Sequence, residues 1–179
     1  MKFLKLTVEN FKPYLDKQDM VLYTKSPDKP ITINVGPNEH GKTSALEAVL
    51  WTIYGTNMFP NWKDWVNWVA KEIEKQREGI VPFSTQLEVQ LDDGITYQIL
   101  RKAKYNITND SQGIDELIVV QGGTPIKDGE EWIKNNFPPQ NIAKYYQFSA
   151  EDMLSEFEAE HNIAVKNHIN VITGITNLY

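Results

Sequence analysis

Residues Gly36 to Ser44 read Gly-Pro-Asn-Glu-His-Gly-Lys-Thr-Ser, which fills every fixed position of the phosphate-loop pattern G-x-x-x-x-G-K-[ST]. The flanks match what such a loop needs. Pro30 to Val35 is a β-branched run that reads as a strand, and Thr43 to Trp51 reads as a helix with an apolar stripe. Strand, glycine loop and helix N-terminus together make an anion cradle. Gly36 and Gly41 allow backbone angles that a Cβ would block, and in such a loop the backbone amides point at the phosphates. In such a loop Lys42 reaches the β- and γ-phosphates of a nucleotide, Thr43 ligates Mg²⁺, and Gly36, Pro37, Asn38, Glu39, His40, Gly41 and Ser44 complete the cradle. The pattern leaves open whether the loop turns nucleotide over or only holds it.

The rest of the composition narrows the setting. At 179 residues and 41% hydrophobic, the chain is long enough for one domain with a full core. Its formal net charge is -6, whereas nucleic-acid modules that work alone are usually basic. Any DNA contact must then come from a local patch or a partner. There is no cysteine, which excludes a disulfide framework or thiolate metal site and fits a reducing cytoplasm. Charges interrupt the apolar residues of Met1 to Glu9, so this stretch is not a signal peptide, and no run is long enough to span a bilayer.

Around the loop the pattern alternates between strands and short helices. Phe3 to Val8 and Met20 to Tyr23 read as strands, separated by Asn10-Phe11-Lys12-Pro13-Tyr14 in a loop. The helix after the phosphate loop runs to about Tyr54, with Gly55 as its stop. A second helix is predicted over Asn61–Arg77, where Trp62, Trp65, Val66, Val69 and Ile73 fall at helical spacing. Packing is the preferred reading of that stripe, ahead of base stacking. Thr85–Leu91 and Ile95–Leu100 form a hairpin around Asp92-Asp93-Gly94. Arg101, Lys102 and Lys104 then read as a solvated strand end, or else as a DNA-backbone patch. A strand over Glu116–Gln121 precedes a Gly122-Gly123 turn, Asp128 caps a helix over Gly129–Asn136, and Pro138-Pro139 stops it. Ile142–Phe148 is strand-like and places Gln147 and Ser149 on one face, ahead of an acidic tail.

Four of these pieces resemble the N-terminal half of an SMC-like ABC ATPase head, the superfamily of the double-strand-break repair ATPases, SbcC, RecF and DndD. They are Asn10-Phe11-Lys12-Pro13-Tyr14; the phosphate loop followed by Ala45-Leu46-Glu47-Ala48 and Tyr54-Gly55; the Asp-Gly hairpin with its basic return strand; and Tyr146-Gln147-Phe148-Ser149-Ala150-Glu151-Asp152. The stretches Pro30–Gly55 and Trp132–Glu151 look most like DndD.

The resemblance implies an α/β fold: a P-loop NTPase, specifically an ABC-ATPase head lobe with a mixed sheet and an antiparallel β-hairpin layer. It implies a lobe over residues 1–160, with 161–179 beginning a helical segment toward a coiled coil that the chain does not include. Lys12 would lie near the phosphates. Gln147 would be the Q-loop residue that helps hold Mg²⁺ and acts with Lys42 in catalysis, with Ser149 the competing register. His40 departs from the small residue usual in relatives. ATP and Mg²⁺ are the expected cofactors. The expected partners are the protein's own C-terminal lobe, a second copy of the head across sandwiched ATP, double-stranded DNA, and a nuclease or modification protein. The implied activity is ATP hydrolysis driving a DNA-processing machine of repair, phosphorothioation or phage defence. The chain alone, lacking a signature motif and a catalytic glutamate, is expected to be inactive. The alternative is a nucleotide-gated interaction module that hydrolyses little.

Overall fold

The computed structural model describes residues 1–23, 32 and 41–143. The strand predicted over Pro30–Val35, loop residues Gly36–His40, Gln147, Ser149, the acidic tail and the boundary at residue 160 all lie outside the described residues. The chain separates into two compact units, Met1–Asn136 and Phe137–Tyr179.

In the first unit, β1 (Lys2–Phe11), β2 (Tyr14–Val21), β3 (Ile80–Gln90), β4 (Thr96–Asn106), β5 (Ser111–Gln112), β6 (Glu116–Gln121) and β7 (Thr124–Pro125) form one sheet in the order β2-β1-β3-β4-β6-β7, with β5 against β4. Every described ladder is antiparallel. The helices are α1 (Lys42–Met58), α2 (Trp68–Lys75) and α3 (Gly129–Asn136). The α/β class expected from the sequence is the class observed.

The period of two in the strands decides which face is covered. Leu6, Leu87, Ile99 and Val119 stand opposite one another across β1, β3, β4 and β6, and each is fully buried. Full burial of such a side chain contributes about 1.5–3 kcal/mol. The next row on that face runs Val8, Thr85, Arg101, Leu117, so it brings a hydroxyl and a guanidinium inside. The opposite face carries the row Lys17, Glu9, Ser84, Lys102, Glu116. Along the buried face lies α1, whose residues Trp51 to Gly55 are buried without interruption. The stretch Trp51 to Gly55 is therefore enclosed all round, where the sequence predicted a single apolar stripe. Enclosed helix carbonyls need partners, and the buried polar row of the sheet supplies them.

Of the predicted packing stripe, Trp62 and Val66 are buried, whereas Ile73, on the short α2, is exposed. Trp62 stacks on Phe83 at 5.0 Å and 19°, Trp51 meets Phe83 edge-on at 4.8 Å, and Phe11 stacks on Phe83 at 5.3 Å. Trp62 is fully buried, so it is not a base-stacking platform.

Several boundaries differ from the sequence reading. The strand expected at Met20 begins at Tyr14, because β1 and β2 form a tight hairpin in which Phe11 faces Tyr14. The helix expected over Asn61–Arg77 is split into a 3₁₀ turn (Trp62–Trp65) and α2. Val66 is extended at the break and bridges to Phe11, and Asn67 restarts the helix. The strand expected from Ile142 opens instead within α4 (Gln140–Ala143), in the second unit, where the Ala143 amide donates to Pro139 in a helical turn. Arg101, read as solvated or DNA-facing, is only 2% exposed.

Candidate functional site

The described end of the phosphate loop is the N-terminus of α1. Gly41 caps it in the left-handed region, at φ 89° and ψ 8°, and its carbonyl accepts the first helical bond from the Ala45 amide at 2.8 Å. The Tyr14 hydroxyl donates to the same carbonyl at 2.8 Å. Burial raises the Tyr14 pKa, so the phenol remains a donor. Only glycine suits position 41. A Cβ there would lie 2.6 Å from the Tyr14 hydroxyl oxygen and 3.0 Å from Pro13 Cγ, and the positive φ would be strained. The β1–β2 turn is thus seated against the loop end.

Beyond Gly41, Lys42 and Thr43 are exposed and Ser44 is half-buried. The first turn carries no acidic residue. A helix N-terminus with an exposed lysine, two hydroxyls and no carboxylate in its first turn fits an anionic ligand. The predicted residues Gly36, Pro37, Asn38, Glu39 and His40, and Gln147 and Ser149, lie outside the described residues. Of the predicted set, Lys12, Gly41, Lys42, Thr43 and Ser44 lie among the described residues, with Lys12 joined to α1 through Glu47.

Lys12 is held from several sides. It takes a left-handed φ of 49°, as do Asn10 at 53° and Asp16 at 56°. Such angles cost energy for non-glycine residues and persist where neighbours impose them. Here the Lys12 amide donates to the Trp65 carbonyl, and the Lys12 carbonyl accepts from Asn67 Nδ2 at 2.6 Å. The Asn67 amide donates to the Asn10 carbonyl at 2.8 Å, and Asn10 Nδ2 donates to the Pro82 carbonyl at 2.8 Å. Asn67 Oδ1 also accepts from the Val69 and Ala70 amides, so one buried side chain both caps α2 and pins Lys12. The Lys12 ammonium forms an ion pair with Glu47 and lies 4.6 Å from the centre of the Trp65 ring. Sequence reasoning assigned no role to Asn67. An asparagine directly before a helical stretch is an N-cap signal, but its bond to Lys12 depends on tertiary contact.

The other end of α1 is closed by Arg101. Its Nε donates to the Thr52 carbonyl at 3.1 Å and Nη2 to the Ile53 carbonyl at 3.0 Å. The Thr52 hydroxyl reaches Thr85 at 2.6 Å. Arg101 Nη1 pairs with Asp115, which also accepts from Thr56, and Glu130 of α3 stands 3.4 Å from the guanidinium. Helical angles break at Gly55, at φ 53° and ψ -143°, where a side chain would run into Arg101 and Asp115. Burial pushes the Asp115 carboxyl up, but the bonds from Thr56 and Arg101 and the guanidinium charge together bring it below its usual value.

Among the described residues no cluster of three or more His, Cys, Asp or Glu could hold a metal, and no helix is long and apolar enough to cross a membrane. A family model described as AAA domain matches residues 5–178. No curated protein matches the chain. Among solved structures the chain is similar to the SMC head domain from Thermotoga maritima, at 19% identity and a TM-score of 0.46, over 77% of this chain and 43% of that one. The chain thus spans less than half the length of that structure.

Proposed function

The chain belongs to the AAA domain family, and from that premise we propose that it binds ATP with Mg²⁺ at the loop entering α1, as the N-terminal lobe of an SMC-like ATPase head. The observation that carries this reading is the N-terminus of α1. The Gly41 carbonyl is tied to Tyr14, and exposed Lys42 and Thr43 follow it. Lys42 holds the β- and γ-phosphates by charge, the Thr43 hydroxyl is a Mg²⁺ ligand, and the N–H groups of the loop, Pro37 excepted, cradle the chain of phosphates. Bound Mg²⁺ neutralises charge on the phosphate oxygens. Lys12, paired with Glu47 one turn along α1, is assigned a further positive charge at the site. Gln147, with Ser149 as the other register, is assigned to the metal and the γ-phosphate.

Hydrolysis requires groups that this lobe does not bring: a water-positioning carboxylate and the signature motif of a second head. Turnover therefore belongs to the lobe joined to its C-terminal partner and dimerised across ATP, in a machine acting on double-stranded DNA with a nuclease or modification protein. Residues 1–160 form the lobe in this reading, and 161–179 lead toward a coiled coil. Calorimetric titration of the 179-residue chain with MgATP tests the site. Binding that is lost in Lys42→Ala supports it, and equal affinity in parent and variant sinks it. Steady-state ATPase of the chain alone stays at background and rises when the separately expressed C-terminal lobe is added. Robust hydrolysis by the chain alone, abolished by Lys42→Ala, would replace this reading with a complete active site.

A further inference from the structure

Glu47 lies four residues after Thr43, one helical turn along the same face of α1. Its carboxylate holds the Lys12 ammonium, and both side chains are largely shielded, at 28% and 23% exposed. The ring of Trp65 lies 4.6 Å away on the same ammonium. Meanwhile the Lys12 backbone is fixed at both its amide and its carbonyl, by Trp65 and Asn67. The main chain is fixed, whereas the ammonium sits on a side chain with rotatable bonds and is paired one helical turn from Thr43.

We propose that Glu47 is the affinity-setting residue of this site. It competes with the polyphosphate for the Lys12 ammonium, so that binding transfers Lys12 from the Glu47 carboxylate to the ligand. This deepens the nucleotide reading above and rests on it. The physical reason is charge. Lys12 facing one carboxylate is neutralised, whereas a ligand with several negative oxygens one turn away offers more. Moving the ammonium leaves Glu47 without its partner and removes the cation from the Trp65 ring, and both losses weaken net binding. The arrangement discriminates by ligand charge. A triphosphate outcompetes Glu47 better than a diphosphate does.

The test is calorimetry with MgATP on the 179-residue chain, Glu47→Gln, Lys12→Met, the double variant and Lys42→Ala. Glu47→Gln should bind ATP about three- to five-fold tighter, in line with a partly shielded ion pair. In the Lys12→Met background the same change has no effect, because Glu47 acts through Lys12. Tightening of equal size with and without Lys12 would mean a general charge effect and overturns the inference. So does unchanged or weaker binding by Glu47→Gln while Lys42→Ala still abolishes it, which leaves the nucleotide reading standing. Absence of ATP binding by the parent overturns both. A second readout does not depend on the variant at Glu47. Tryptophan fluorescence of the parent, less that of Trp65→Phe, changes on ATP binding if Lys12 leaves the ring. Binding seen by calorimetry with a constant Trp65 signal counts against the transfer.

Discussion

The two ends of α1 are built on opposite principles. Its N-terminus is open: Lys42 and Thr43 are exposed, and the contacts that fix it reach the Gly41 carbonyl from behind through Tyr14. Its C-terminal half is sealed, with Trp51 to Gly55 buried and the Thr52 and Ile53 carbonyls met by a buried arginine. One end exposes Lys42 and Thr43 to solvent, and at the other a buried guanidinium meets the Thr52 and Ile53 carbonyls. A helix that must present its N-terminus to a mobile anion benefits from being anchored elsewhere. The Arg101 cluster thus holds the fold, whereas the Lys12–Lys42 region is where binding is proposed, and each can be broken separately.

The largest effect should come from the sealed end. Arg101→Met leaves Asp115 without its cation and removes the donors to Thr52 and Ile53. Breaking one partner of such a buried pair costs about 3–5 kcal/mol, which urea denaturation of parent and variant will show as a lower midpoint. A change below about 1 kcal/mol would mean that solvent or neighbours replace the arginine. At the open end the pattern should reverse. Lys42→Ala should weaken ATP binding by about 2–5 kcal/mol by calorimetry, with unfolding stability within about 0.5 kcal/mol of the parent, as for an exposed substitution. If Lys42→Ala unfolds the chain, the division between the ends is wrong.

Gly41→Ala sharpens the comparison because it strikes where binding and packing meet. The left-handed angle costs a non-glycine residue about 1–2 kcal/mol, and the new methyl must displace the Tyr14 hydroxyl. Thermal unfolding should fall by that modest amount while ATP binding falls further. Binding preserved in a variant of lowered stability would separate the loop end from the ligand.

The smallest effect is in pH. The folded pKa of Asp115 is lowered, against the push of burial, by Thr56 and Arg101. A lowered carboxylate contributes stability that is complete above its unfolded pKa, about 3.9, and is lost as pH falls through the lower folded value. Urea midpoints of parent and Asp115→Asn should therefore differ near neutrality and converge on acidification below that range. A gap that stays constant into strong acid would show that the carboxylate charge is not what matters there.

Much of this was legible in the chain. Glu116–Gln121 and Gly129–Asn136 are the strand and helix that their patterns predict, and the Asp128 carboxylate accepts from the Glu131 amide at 2.9 Å as a cap should. Gly122 and Gly123 both take positive φ in the expected turn. These features depend on alternation, capping and turn chemistry, which act over a few residues. The Trp62 packing was also visible, because the stripe has helical spacing even though the segment breaks at Val66. Arg101 misled for a physical reason. It falls at a core-facing position of β4, yet its own chemistry argues for solvent, and the carbonyls and carboxylate that admit it come from residues 52, 53 and 115.

The phosphate-loop pattern, the hairpin and the inside–outside alternation could be read from the chain, since each follows from neighbours along it. Only the tertiary structure decided that Tyr14 backs the loop end, that Asn67 pins Lys12, that Glu47 holds its ammonium and that Arg101 belongs to the interior. Those contacts join residues far apart in the chain. A long polar side chain has no fixed destination until the fold brings a partner to it and removes the water that would otherwise solvate it.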